Sequence, residues 1–144
     1  MHARLRNWLC GKMPSAGQLR LSPLRRPGAG LSNETFLCEL SWREGGHDRS
    51  QDLVIRLEPK DFQVFPDYDL PRQARILQRL AGTDVPVPAV RWLEEDGSVL
   101  GSSFYVMDRI EGSIPSEVPP YHAFGLCFEA TPERRAAMKQ SPKA

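Results

Sequence analysis

No stretch of this chain comes near the roughly 18 consecutive apolar residues that a membrane-spanning helix requires, so no membrane partner is expected. Cysteine is scarce as well. Cys10, Cys38 and Cys127 are odd in number and far apart, which gives neither a disulfide framework nor a CxxC metal pair and points to a reducing compartment. Histidine occurs only as His2, His47 and His122; none opens an HxD, and none stands at metal-ligand spacing from another His or Cys. His122, in "PPYHAFG", reads as a packing or surface residue. No GxSxG and no nucleophile–base pair suggests covalent catalysis.

Acid is missing from residues 1–33, which hold six basic residues, whereas the remainder carries 13 basic against 18 acidic ones. An acid-free basic beginning is what a mitochondrial presequence looks like; it equally suits a surface helix with Leu5 and Leu9 on one face. The expected location is cytoplasmic, with mitochondrial as the alternative. Nucleic acid is the less favoured partner, because beyond Trp8 no aromatics interleave with that charge.

What the chain does have suffices for one ordinary core: 144 residues, 40% of them hydrophobic and 26% charged. Gln18–Leu24 alternates apolar and polar residues and reads as a first strand; Thr35–Leu40, with Phe36, Cys38 and Leu40 on one parity, begins a second that runs to Trp42. The polar "REGGHDRSQ" turns the chain into Asp52–Leu57, a compact apolar strand with Arg56 near its end. The clearest helix is "PDYDLPRQARILQRLAG", in which Asp69 is an N-cap, Pro71 sits in the first turn and Gly82 stops the run. Leu70, Ala74, Leu77 and Ala81 form its apolar stripe, with Gln73 beside it. Two more strands follow, Ala89–Leu93 and Ser102–Met107, then a proline-rich linker past Gly112 and a short helix opening at Thr131-Pro132-Glu133. The order is helix, three strands, helix, two strands, linker, helix, which is an α+β sheet with a helix packed on one side.

This order, together with the phrases "GAGLSNETFL", "LVIRLEP", "LAGTDVPVP", "SVLGSSFYVMDRIEG" and "PPYH", resembles the N-terminal lobe of the aminoglycoside phosphotransferase and choline-kinase-like family, whose fold is protein-kinase-like. The likeness is to the subgroup related to the phosphotransferase domains fused to acyl-CoA dehydrogenases, and it covers roughly residues 5–135. It implies a five-stranded, mainly antiparallel sheet with one packing helix. It also implies three segments: an N-terminal helical segment (1–17), the lobe itself (18–112), and a linker opening onto a second lobe (113–144).

The resemblance also assigns roles. The turn from Gly28 to Thr35 would lie over the phosphates of ATP, with Gly28 and Gly30 allowing close backbone approach and Ser32 and Asn33 adding polar contacts. By itself such a turn is equally a ligand-free hairpin. Arg56 stands where kinases place a lysine that grips phosphate; otherwise it is an edge-strand arginine facing solvent. Gln73 takes the place of the glutamate that pairs with that cation, a departure that leaves three outcomes open: phosphate as counter-ion, an altered site, or a helix-flank residue with no task. Met107 would stand behind adenine, Val54 would touch the ring, and the Asp108 carbonyl and Ile110 N–H would bind its edge. The family also implies Mg²⁺, but its catalytic and metal-binding carboxylates lie on a second lobe, and no aspartate follows Asp108 here. The expectation is therefore half of a two-lobed enzyme, truncated and inactive alone, acting with ATP on a small hydroxyl-bearing substrate; the alternative is a non-catalytic interaction module. Apolar residues around Tyr121, Phe124 and Leu126 would be left uncovered and favour self-association.

Overall fold

A computed structural model describes residues 1–27, 34–58, 69–112, 120 and 122–139. In chain order the elements are α1 (His2–Lys12), β1 (Gly17–Leu21), β2 (Glu34–Glu44), β3 (His47–Leu57), α2 (Leu70–Leu80), β4 (Val90–Glu94), β5 (Phe104–Asp108), α3 (Leu126–Glu129) and α4 (Pro132–Lys139). They fall into two units, Met1–Gly82 with Pro86–Arg109, and Thr83–Val85 with Ile110–Ala144. No helix among the described residues is long and apolar enough to cross a membrane.

The first unit holds a five-stranded sheet, antiparallel at every pairing, in the order β1-β2-β3-β5-β4. Its longest arm is the β2–β3 hairpin, closed by Gly45 and Gly46 at φ 57° and 82°, the left-handed values a two-residue turn needs at both central positions. β3 starts five residues before the expected Asp52. His47–Gln51 pair with Leu40–Glu44 through the ladder, yet His47–Ser50 are exposed, so no apolar alternation marks them as strand. The chain returns from α2 to the edge strand β4, and only then does β5 slot in beside β3. Phe104, Tyr105 and Val106 are all fully buried; because neighbouring side chains on a strand point to opposite faces, both faces are covered at β5.

On one face α1 lies with Leu5 and Leu9, one helical turn apart, in a layer that includes Phe36, Leu40, Ile55, Phe104 and Val106. Burying such side chains is worth roughly 2 kcal/mol each. Trp8 ties the helix to the far strand: its Nε1 donates to Glu94 Oε2 at 2.7 Å, and its ring meets the edge of Phe104 at 4.8 Å. Lys12 completes the corner, 3.7 Å from Glu94 and above the Trp8 ring.

The other face carries α2. Asp69 caps it as expected, its Oδ1 accepting the Arg72 N–H at 2.8 Å, with Pro71 in the first turn. Leu70 and Ala74 are fully buried against Tyr105, and Leu77 and Met107 pack at the margin of that cluster. Ala81 does not join the stripe; the helix stops at Leu80 and Ala81 is extended and exposed.

In the second unit the Thr131 hydroxyl accepts the Arg134 N–H at 3.3 Å, which caps α4 where the sequence places it. The single turn of α3 ahead of it has no sequence signal, being too short to show a period. Arg135 donates to the carbonyls of Phe128 and Ala130, filling acceptors that α3 leaves open at its end.

Candidate nucleotide site

Strand register decides which expected site residues meet. Arg56 on β3 lies opposite Thr35 of β2 on one side and Tyr105 of β5 on the other. Two residues along, Val54 lies between Leu37 and Met107. Alternation puts all six side chains on one face of the sheet, the face that carries α2. Arg56 is half-buried there, and its Nη1 donates to the Tyr105 hydroxyl at 3.3 Å. Arg56 thus stands on a central strand rather than at a sheet edge.

The glycine-bearing turn itself, with Gly28, Gly30, Ser32 and Asn33, lies outside the described residues. Its two stems do not. Beyond β1 the chain keeps alongside β2: Ser22 and Glu39 pair through backbone at 2.9 Å, and Arg25 and Leu37 exchange both backbone hydrogen bonds at 2.9 and 2.7 Å. Arg26 stacks on the Phe36 ring and stands 3.8 Å from Glu34. The described segments on either side, 22–25 and 37–39, therefore run beside each other. Thr35, close after the turn, is the residue directly across from Arg56.

At the same end of β3, just past Leu57, Glu58 fastens the strand to the start of β5. Its N–H donates to the Ser103 carbonyl at 3.2 Å, and its carboxylate accepts the Ser103 hydroxyl at 3.0 Å. At the end of β5, Met107 is half-buried and Asp108 is held by Arg91, whose Nε and Nη2 donate to Oδ1 and Oδ2 at 2.6 and 2.8 Å. This two-pronged contact raises the Arg91 pKa, chiefly through the hydrogen bond to Asp108. The Asp108 N–H also bonds the Ala89 carbonyl at 2.9 Å. The Asp108 carboxylate is thus committed to an ion pair. Ile110 belongs to the second unit and is 63% exposed.

Gln73 is half-buried on α2, and among the described residues no hydrogen bond joins it to Arg56. The partner sequence reasoning missed is Tyr105. A signal existed: a tyrosine inside the apolar run "FYVM" must find a hydroxyl partner once buried. Identifying that partner as Arg56 required the β3–β5 register. No group of three or more His, Cys, Asp or Glu side chains among the described residues could hold a metal ion. Of the apolar residues near the C-terminus, Phe124 is 56% exposed and Leu126 half-buried; Tyr121 lies outside the described residues.

The model of the phosphotransferase enzyme family (APH) matches residues 23–131, from the first stem of the turn to the cap of α4. The chain belongs to this family. Among its relatives, the mouse acyl-CoA dehydrogenase family member 10 is 35% identical over 85 residues, 59% of this chain and 7% of that protein. The Arabidopsis thaliana protein described as the probable acyl-CoA dehydrogenase IBR3 is 35% identical over 88 residues, 60% of this chain and 10% of the relative. A crystal structure assigned as an aminoglycoside phosphotransferase from Ralstonia eutropha superposes with a TM-score of 0.50 at 30% identity, covering 77% of this chain and 28% of that one. This phosphotransferase-family chain therefore spans a small part of each relative it matches, and the likeness expected from its phrases, to the family and to acyl-CoA dehydrogenase relatives, is borne out.

Proposed function

We propose that this chain is the ATP-binding half of a phosphotransferase that acts on a small hydroxyl-bearing substrate, and that it transfers no phosphate by itself. The observation that carries the reading is the row Thr35–Arg56–Tyr105, which sets a cation one strand away from Thr35, at the close of the glycine-bearing turn. In this arrangement the Arg56 guanidinium grips phosphate oxygens, and the N–H groups of the turn supply further donors. Val54 and Met107, neighbours across the same face, offer an apolar bed for the base. The backbone at Asp108 reads the adenine edge, which leaves the Asp108 side chain to pair with Arg91.

Phosphoryl transfer further needs metal-bridged charge neutralisation and a carboxylate that orients the attacking hydroxyl. The described residues do not fit a magnesium site, and Asp108, the last aspartate of the chain, is occupied by Arg91. A half-site enclosing the nucleotide on one side binds it weakly, with a dissociation constant on the order of millimolar. The test is an NMR titration of the chain with ATP, comparing Arg56→Ala with Arg49→Ala, an exposed arginine on the outer hairpin. The expected result is saturable binding that Arg56→Ala weakens about tenfold and Arg49→Ala leaves alone. A folded chain that ignores ATP at tens of millimolar overturns the reading in favour of a non-catalytic interaction module.

A further inference from the structure

The structure assigns Tyr105 as a positioning residue: its hydroxyl holds the Arg56 guanidinium in place at the phosphate end of the site. This rests on the nucleotide reading above and gives Tyr105 a task that reading leaves unassigned.

Three observations converge on it. The Tyr105 ring has no solvent exposure and is fixed against Leu70 and Ala74, so its hydroxyl is aimed by α2 as firmly as by β5. Arg56 is its direct cross-strand partner and donates to it at 3.3 Å. The helix side chain at the flank of that cluster, Gln73, makes no hydrogen bond to Arg56. Helix α2 thus reaches the cation through a phenol carried on β5.

The chemistry of that link differs from that of a carboxylate. A carboxylate beside the guanidinium competes with phosphate for the same charge and the same donors. The phenol hydroxyl carries no charge, and it accepts one N–H of the five a guanidinium offers. This contact therefore restrains the long side chain without neutralising it, lowering the ordering cost when an anion binds. Any displacement of α2 moves Leu70 and Ala74, hence the ring, hence the cation.

Tyr105→Phe removes the hydroxyl and keeps the packed ring. The test titrates the wild-type chain, Tyr105→Phe, Arg56→Ala and the double variant with ATP, tripolyphosphate and adenosine, and records a melting curve for each. The expected result is a Tyr105→Phe chain that melts close to wild type and binds ATP and tripolyphosphate about tenfold more weakly, with adenosine unchanged. In the double variant the loss should equal that of Arg56→Ala alone, since the hydroxyl acts only through the guanidinium. Equal loss for ATP and adenosine, additive losses, or no loss with Tyr105→Phe would each overturn the assignment. A wild-type chain that binds neither ATP nor tripolyphosphate overturns the nucleotide reading and the assignment with it, an outcome distinct from normal wild-type binding retained by Tyr105→Phe.

Discussion

The face of the sheet under α1 is lined by Phe36, Cys38, Leu40, Leu53, Ile55, Phe104 and Val106, whereas the face under α2 interrupts its apolar lining with Thr35, Arg56 and a tyrosine hydroxyl. The strands are the same; only the parity differs. Side chains of one parity remove apolar surface from water and supply most of the cohesion. Side chains of the other parity include a half-buried cation, Arg56, whose guanidinium donates to the Tyr105 hydroxyl, a contact that adds little to stability. Odd and even positions along β3 have been given different work.

The sharpest way to break that contrast is Phe104→Ala. This fully buried ring touches Trp8 and belongs to the α1-side cluster, so its loss should cost about 3–5 kcal/mol and leave the chain largely unfolded in a urea titration. Trp8→Phe keeps the ring contact but deletes the hydrogen bond to Glu94; a loss of about 1–2 kcal/mol is expected, read as a lower urea midpoint, with ATP binding intact because the α2 face is untouched.

A pH experiment sharpens the comparison further. Burial pushes the Cys38 thiol up to about 12, with the Asp52 carboxylate adding to the effect. Below pH 9 the folded and unfolded chains both keep the proton, and the thiol contributes no pH dependence. Between pH 9 and pH 12 the unfolded chain ionises while the folded one does not, so stability falls as pH rises. Cys38→Ala should show a shallower fall in melting temperature across that window. An equal slope would mean the thiol is not sealed in the core. The smallest effect belongs to the opposite face: Gln73→Ala, which removes a half-buried amide with no bond to Arg56, should change stability by less than about 0.5 kcal/mol and leave ATP affinity alone. A tenfold loss of affinity would mean Gln73 reaches the cation after all.

Much of the first unit was legible residue by residue. Asp69, Pro71 and the Leu70–Ala74–Leu77 spacing announced α2, because caps and helical periods are local properties of the chain. The opposite parity of Val54 and Arg56 to Leu53 and Ile55 likewise follows from the pleat. The outer half of β3 was hidden for a related reason. Ladder hydrogen bonds hold His47–Ser50 without burial, and burial is what sequence patterns record. Ala81 fits the spacing of the stripe but lies past the helix end, since a matching spacing does not require the helix to reach it.

The sequence by itself determined the helix-and-strand order of the first unit, its apolar faces and the membership of the chain in a phosphotransferase family, because composition, capping and periodicity act over a few residues and family phrases are strings. Only the tertiary structure decided that β5 rather than β4 lies beside β3, and in a register that sets Arg56 against Tyr105. Any antiparallel pairing satisfies the backbone equally well, so register is chosen by what buries best. Here that choice is made by Phe104, Tyr105 and Val106, which fill both faces at once and so deliver a hydroxyl to an arginine 49 positions away.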